Sequence, residues 1–210
     1  MIRQDYLSAA TVAAELTADP AVARSWEAPS ALRKFRVSGL AGHLVSQITQ
    51  VVPVLDAGPP GTRPISLLDH YGRSTWTDGD IDSELNTGIR RSGEQSAAAG
   101  VAALHAQAGA ALAVLRQRLP AEPADRAVQL PWGPWALSLD DFLVTRMLEI
   151  AVHCDDLAVS VGARTPAFPP SALETVLGLL CRWAASRHGS TAVLRTLSRA
   201  ERAPAKIAAF

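Results

Sequence analysis

The chain has 210 residues, 48% of them hydrophobic and 19% charged, with 20 basic side chains against 20 acidic ones and a formal net charge of zero. That length supports one buried core and is short for two, and the balanced charge removes the field that would gather nucleic acid or an anionic membrane. No run approaches the ~20 apolar residues of a membrane span, the N-terminus lacks the apolar stretch of a leader, and two cysteines are too few for a disulfide framework, so a cytoplasmic monomer or homodimer is expected, with no nucleic-acid or membrane partner and with Cys154 and Cys181 as reduced core residues.

Leu7, Ala10, Thr11, Ala14 and Leu16 recur in helical rhythm and predict a first helix over residues 5–17. Asp19-Pro20 breaks it and opens a short second helix that runs to Trp26. After a basic linker, Ser38 offers an N-cap to a helix over 38–56, in which His43 shares a small or polar stripe with Gly39, Ser46, Gln47 and Gln50. Gly58-Pro59-Pro60-Gly61 ends that helix. Residues 64–76 read as a short helix weakened by Gly72, and 77–80 as a turn.

From 80 to 119 an Ala-rich pattern predicts one long helix. It is expected to bend or to pack closely at Gly88, Gly93, Gly100 or Gly109, because an interior glycine costs ~1 kcal/mol relative to alanine. Pro131-Trp132-Gly133-Pro134 separates two extended runs, 127–130 and 135–137, and predicts a small hairpin. Ser138 with Asp141 makes a capping-box-like start to a strongly apolar helix over 139–162. Pro166, Pro169 and Pro170 introduce a helix over 171–188, and Gly189-Ser190 separates it from a last one over 191–203. The outline is all-α: four long antiparallel helices, 5–17, 38–56, 80–119 and 139–162, with two added C-terminal helices.

The fourth long helix carries a polar stripe on an otherwise apolar cylinder: Arg146, Glu149, His153 and Asp156. At ~100° per residue, Glu149 and His153 lie ~40° apart around the axis and Asp156 falls ~20° from Glu149. A bundle builds its sites from inward side chains on facing helices, so His43 can join Glu149 and His153 as a set of two imidazoles and one carboxylate suited to zinc or another divalent ion. The same spacing also fits a solvated helix face, with His43 a core histidine. Arg146 fits an intrahelical ion pair with Glu149 or support of the site, and Asp156 fits a partner to His153 or a hydrogen bond between helices. Trp76, Trp132, Trp135, His70 and Tyr71 are nominated for the pocket mouth, Trp76 and Trp132 first, against plain packing or surface roles. His105 and His188 read as packing or surface residues.

GLAGHLVSQ around His43, the Pro-Trp-Gly-x-x-x-Leu-Ser loop, and Arg146-x-x-Glu149-x-x-x-His153-x-x-Asp156-Leu157 resemble the N-terminal metal-binding domain of the mycothiol-dependent maleylpyruvate isomerases, part of the DinB/YfiT-like superfamily, over residues ~1–165. The resemblance implies a DinB-like four-helix bundle with a long crossover over residues 1–165, with 166–210 a helical extension packed on the same domain. It implies His43, Glu149 and His153 as ligands of a divalent metal, usually zinc, with mycothiol as a possible cosubstrate. The implied activity is S-transfer or isomerisation of a small electrophilic substrate by an activated low-molecular-weight thiol. The alternative is a non-catalytic bundle that binds metal or a small ligand. The family's namesakes carry a further domain that contributes to their active site, and residues 166–210 do not resemble it, so the resemblance leaves the choice of reaction open.

Overall fold

The computed structural model describes residues 1–73 and 80–209 and shows an all-α bundle with one two-stranded hairpin among them. The predicted turn at 77–80 therefore lies almost wholly outside the described residues. Helix α1 (Ile2–Thr17) buries Tyr6, Ala9, Ala10 and Ala13, one stripe at helical spacing. Asp19 accepts from the Ala21 N–H at 2.7 Å and Pro20 takes the first position of α2 (Pro20–Arg24), as the Asp-Pro pair predicts.

Helix α3 (Val37–Thr49) starts one residue before the expected cap. Arg36 stands at the N-cap, and the Ser38 hydroxyl turns to Glu94 at 3.5 Å instead of capping. The predicted 38–56 helix is also interrupted at Gln50, after which α4 (Val51–Asp56) continues. Pro53 supplies the cause, because it has no N–H for the Thr49 carbonyl and its ring crowds that carbonyl. Helix α5 (Leu67–Arg73) falls within the predicted 64–76 segment.

The expected single helix over 80–119 is two helices, α6 (Glu84–Ala97) and α7 (Val101–Arg118), meeting at 96°. Gly100 makes the corner with φ +88°, a left-handed backbone that glycine adopts without strain. Helices α1, α3, α7 and the later α8 (Leu139–Val161) pack against one another as the bundle, while α6 lies along α3. Gly93 is used differently from Gly100. A Cβ at Gly93 would stand 2.4 Å from the Gly39 carbonyl oxygen, so the two helix backbones touch where side chains are missing. Close packing and a kink thus account for one glycine each.

Strands β1 (Ala127–Gln129) and β2 (Ala136–Ser138) form the predicted hairpin, Val128 opposite Leu137. Ser138 then accepts from the Asp141 N–H at 3.0 Å, and α8 runs unbroken to Gly162, whose φ of +67° closes it. The Arg3 guanidinium reaches from α1 to Asp140 at 3.0 Å and to the carbonyls of Leu119, Glu122 and Pro123. It thereby ties the turn that follows α7 to the start of α8.

Because α8 contacts α1, α3 and the C-terminal α9 (Pro170–His188), it is apolar on several sides and buries Phe142, Leu143, Met147, Ile150, Cys154 and Leu157. Helix α10 (Ser190–Ser198) packs on α9, and a short 3-10 turn (Ala200–Arg202) follows where the last predicted helix would have continued. No single helix among the described residues is long and apolar enough to cross a membrane; α6 and α7 reach that length only as a sharply bent pair.

Candidate metal centre

Leu40, Leu44 and Ile48 fix the inner face of α3 by complete burial, and this sets His43 at the edge of that face, turned toward α8. On α8 the fully buried Phe142, Leu143, Ile150 and Leu157 do the same for the stripe identified from spacing. The two helices run antiparallel: His43 meets Glu149 and His153, while Gln47, one turn further along α3, meets Arg146, one turn back along α8.

Glu149 Oε2 lies 3.2 Å from His153 Nε2 and 3.6 Å from His43 Nε2, and the imidazole rings stand edge to face with centroids 4.8 Å apart. The ligand atoms of all three residues fall within 4.8 Å of one another. His153 Nδ1 is committed to the Asp156 carboxylate at 3.0 Å, which leaves Nε2 as the ring nitrogen that could be offered to a metal. Each of the three side chains keeps 16% or 17% of its surface exposed, so the cluster is mostly but not wholly closed off from solvent.

The charges reinforce this geometry. Burial works against ionisation of Glu149, but hydrogen bonds with His153 and His43 and the charges of His153 and Arg146 hold its carboxyl well below the usual range. Burial pulls His153 down as well, and the hydrogen bonds and charges of Asp156 and Glu149 outweigh it, lifting the imidazole to about 9. For His43 burial prevails over Glu149, and its pKa is lowered. The donor set has the composition and convergence that a divalent ion needs: two imidazole nitrogens, one ionised carboxylate, and a histidine already oriented by a second carboxylate.

The other expected site residues divide. Asp156 takes the role of partner to His153. Arg146 forms no ion pair with Glu149 at contact distance among the described residues. Its guanidinium donates to Gln47 Oε1 at 2.5 Å and to Thr145 Oγ1 at 3.1 Å, and lies 4.7 Å from the centroid of the Trp132 ring. Trp135 donates from Nε1 to His70 Nδ1 at 3.0 Å, and burial, with Arg146 opposing protonation, depresses that histidine to about 4. Tyr71 is buried against His70 and Trp183. Trp76 lies outside the described residues. His105 bonds the Ala14 carbonyl and His188 the Ala208 carbonyl, the packing and surface roles expected of them.

Residues 7–158 match the mycothiol maleylpyruvate isomerase N-terminal domain. The chain belongs to that family. The matched span of the mycothiol maleylpyruvate isomerase N-terminal domain contains His43, Glu149, His153 and Asp156, together with the hairpin loop, and ends before α9 and α10. No curated protein and no solved structure matches the chain.

From spacing alone Gln47 is one member of the polar stripe on the His43 helix, yet in the structure it links the site. Its Nε2 lies 3.4 Å from His43 Nε2 and donates to the His43 carbonyl at 2.8 Å, while its Oε1 accepts from Arg146. The signal was present in its spacing, four residues after His43 on the same face.

Proposed function

We propose that the chain is a divalent-metal-dependent enzyme, with zinc held by His43, Glu149 and His153, that activates a low-molecular-weight thiol such as mycothiol. The thiol then takes part in S-transfer to a small electrophile or in its thiol-assisted isomerisation. The observation that carries this reading is the convergence of three ligand atoms from two facing helices within 4.8 Å, in a member of the mycothiol maleylpyruvate isomerase N-terminal domain family.

Three protein ligands leave a coordination position open, the arrangement of catalytic rather than structural zinc. A divalent ion bound there supplies the acidity that turns a coordinated thiol into a thiolate at neutral pH. The chain's own groups prepare that position. Asp156 holds the His153 ring in one orientation through Nδ1, Glu149 contributes one negative charge between the two imidazoles, and the apolar residues around α8 keep water from the inner side.

Elemental analysis of the purified and zinc-incubated protein, beside a His153→Ala variant, tests the ligands. Thiol consumption with mycothiol and a panel of electrophiles tests the reaction. Stoichiometric zinc in the wild type, its loss in the variant, and zinc-dependent thiol consumption are expected. Failure to take up any metal refutes the proposal, and metal uptake with no turnover across the panel assigns the chain to a non-catalytic metal- or small-ligand-binding role.

A further inference from the structure

The two histidines of the cluster are not held alike. His153 is oriented through Nδ1 by the Asp156 carboxylate at 3.0 Å, one turn along the same helix. His43 has Nε2 beside Glu149 and Gln47, at 3.6 and 3.4 Å, and its Nδ1 meets no hydrogen-bond partner among the described residues. Its neighbours one turn away on α3 are Gly39, Leu40, Ser46 and Gln47, none of them an anion. The rotation of an imidazole about its last torsion is soft, so whatever fixes the His43 ring comes from another element.

Two rings pack against it. His153 stands edge to face at 4.8 Å, and Phe35 lies at 6.2 Å with the planes 57° apart, both within the range of aromatic contacts. Phe35 comes from the loop between α2 and α3, and that loop is tied down on both sides of it. The Ser30 N–H donates to the Phe35 carbonyl at 2.9 Å and the Phe35 N–H to Leu32 at 3.1 Å. The Ala31 N–H donates to Ser160 Oγ on α8 at 2.8 Å, Lys34 pairs with Asp82 just before α6, and Arg36 pairs with Glu27 and with Glu94 on α6. Immediately before Phe35, Lys34 takes φ +67°, a left-handed backbone that side chains with a Cβ rarely adopt and that persists where surrounding contacts impose it.

From these observations we infer that Phe35 is a positioning residue for the metal site: its ring, fixed by the anchored loop, sets the orientation of His43 as the Asp156 carboxylate sets that of His153. This role rests on the metal-dependent reading above for the ion, and on the contact between the rings for the orientation.

The test compares the wild type with Phe35→Leu, which keeps the apolar packing of this half-buried side chain against the core and removes the ring, and with Phe35→Tyr, which keeps the ring. Zinc affinity is measured against a chromophoric chelator, ligand geometry by the absorption spectrum of the cobalt-loaded chain, and stability by urea unfolding. Phe35→Leu is expected to lose about tenfold in zinc affinity, the lower end of what losing an orienting partner costs, while Phe35→Tyr stays within about twofold of the wild type. The cobalt spectrum should change in Phe35→Leu alone. In the chelator-treated chain, carbon relaxation of the His43 ring should report lower order in Phe35→Leu and wild-type order in Phe35→Tyr.

Zinc affinity retained in Phe35→Leu overturns the inference, as does an equal loss in Phe35→Tyr. So does a loss that follows a lowered urea midpoint with the cobalt spectrum unchanged, which assigns Phe35 to the fold alone. Should Phe35→Leu not fold, Phe35→Met takes its place with the same expectations. A wild-type chain that takes up no metal refutes the proposed function; the ring relaxation then decides, and equal order in all three chains overturns the positioning role as well.

Discussion

Where α6 lies along α3 the two backbones come together without intervening side chains, and Gly42→Ala is the sharpest way to probe that approach. A Cβ at Gly42 would stand 2.0 Å from the Gly93 carbonyl oxygen and 2.9 Å from its carbon, where real Cβ atoms essentially never approach closer than 3.0 Å. Going from 2.0 to 3.0 Å requires the helices to part by about 1 Å, and the obstacle is backbone, so no rotamer change relieves it. Overpacking of this kind costs roughly 1–3 kcal/mol, with the rigid obstacle placing it at the upper end. Helix propensity acts the other way and returns about 1 kcal/mol. The net expectation is a loss of about 2 kcal/mol, which at a urea dependence of roughly 2 kcal/mol per molar lowers the unfolding midpoint by about 1 M. Gly88→Ala, on an exposed part of α6 where a Cβ meets nothing within 4 Å, is the control and should gain about 0.5–1 kcal/mol from propensity alone. If Gly42→Ala is as stable as the wild type, or gains as Gly88→Ala does, the close-approach reasoning is refuted.

Asp156→Ala removes the carboxylate bonded to His153 Nδ1, and zinc affinity measured against a chromophoric chelator is expected to fall about 10–100-fold with the fold intact; unchanged affinity would deny the carboxylate any part in holding the ligand. His70 gives the fold a pH dependence. Its folded pKa of about 4 lies below the ordinary 6.5, so the unfolded chain binds the proton more readily, and stability present above pH 6.5 is lost as pH falls through 4, by at most about 3 kcal/mol. Urea midpoints across that window should fall less steeply in His70→Gln, and parallel slopes would contradict the assignment. The thiols should also separate, since Cys154 is fully buried and pushed up to about 12 by that burial, whereas Cys181 is half-buried beside α10. In the native protein Cys181 is expected to react promptly with a thiol reagent and Cys154 only after denaturant is added; prompt reaction of both in native buffer would contradict the buried placement.

Much of the fold was legible because the signals are local. Asp19-Pro20, Ser138 with Asp141, Gly162, and the Pro-Trp-Gly-Pro hairpin loop each act within a few residues, and the structure places an N-cap, a C-cap or a turn at each. The 80–119 segment was legible as irregular but not as two helices at 96°, because the pattern does not say which glycine bends the chain. Gly100 turns the corner through its positive φ, while Gly93 keeps regular helix and admits the α3 backbone. Only the position of α3, some fifty residues earlier in the chain, distinguishes the two uses. The break at Gln50 was open to inspection in Pro53, whose effect on the carbonyl four residues before it is also local.

The site followed the same division between local and distant information. Glu149, His153 and Asp156 share one helix, so their stripe was readable from spacing, whereas the arrival of His43 depended on family resemblance and on how α3 faces α8. Arg146 shows what spacing alone misjudges. Its nearest opposite charge in sequence is Glu149, one turn away, and on a solvated helix such a pair gains a few tenths of a kcal/mol. Here α8 is covered on several sides, Glu149 is drawn to the histidines, and the guanidinium instead meets Gln47, 99 positions away in the chain. A tightly packed antiparallel pair therefore sorts its charges in two successive layers: the carboxylate with the imidazoles in one, and an arginine with only neutral partners in contact in the next.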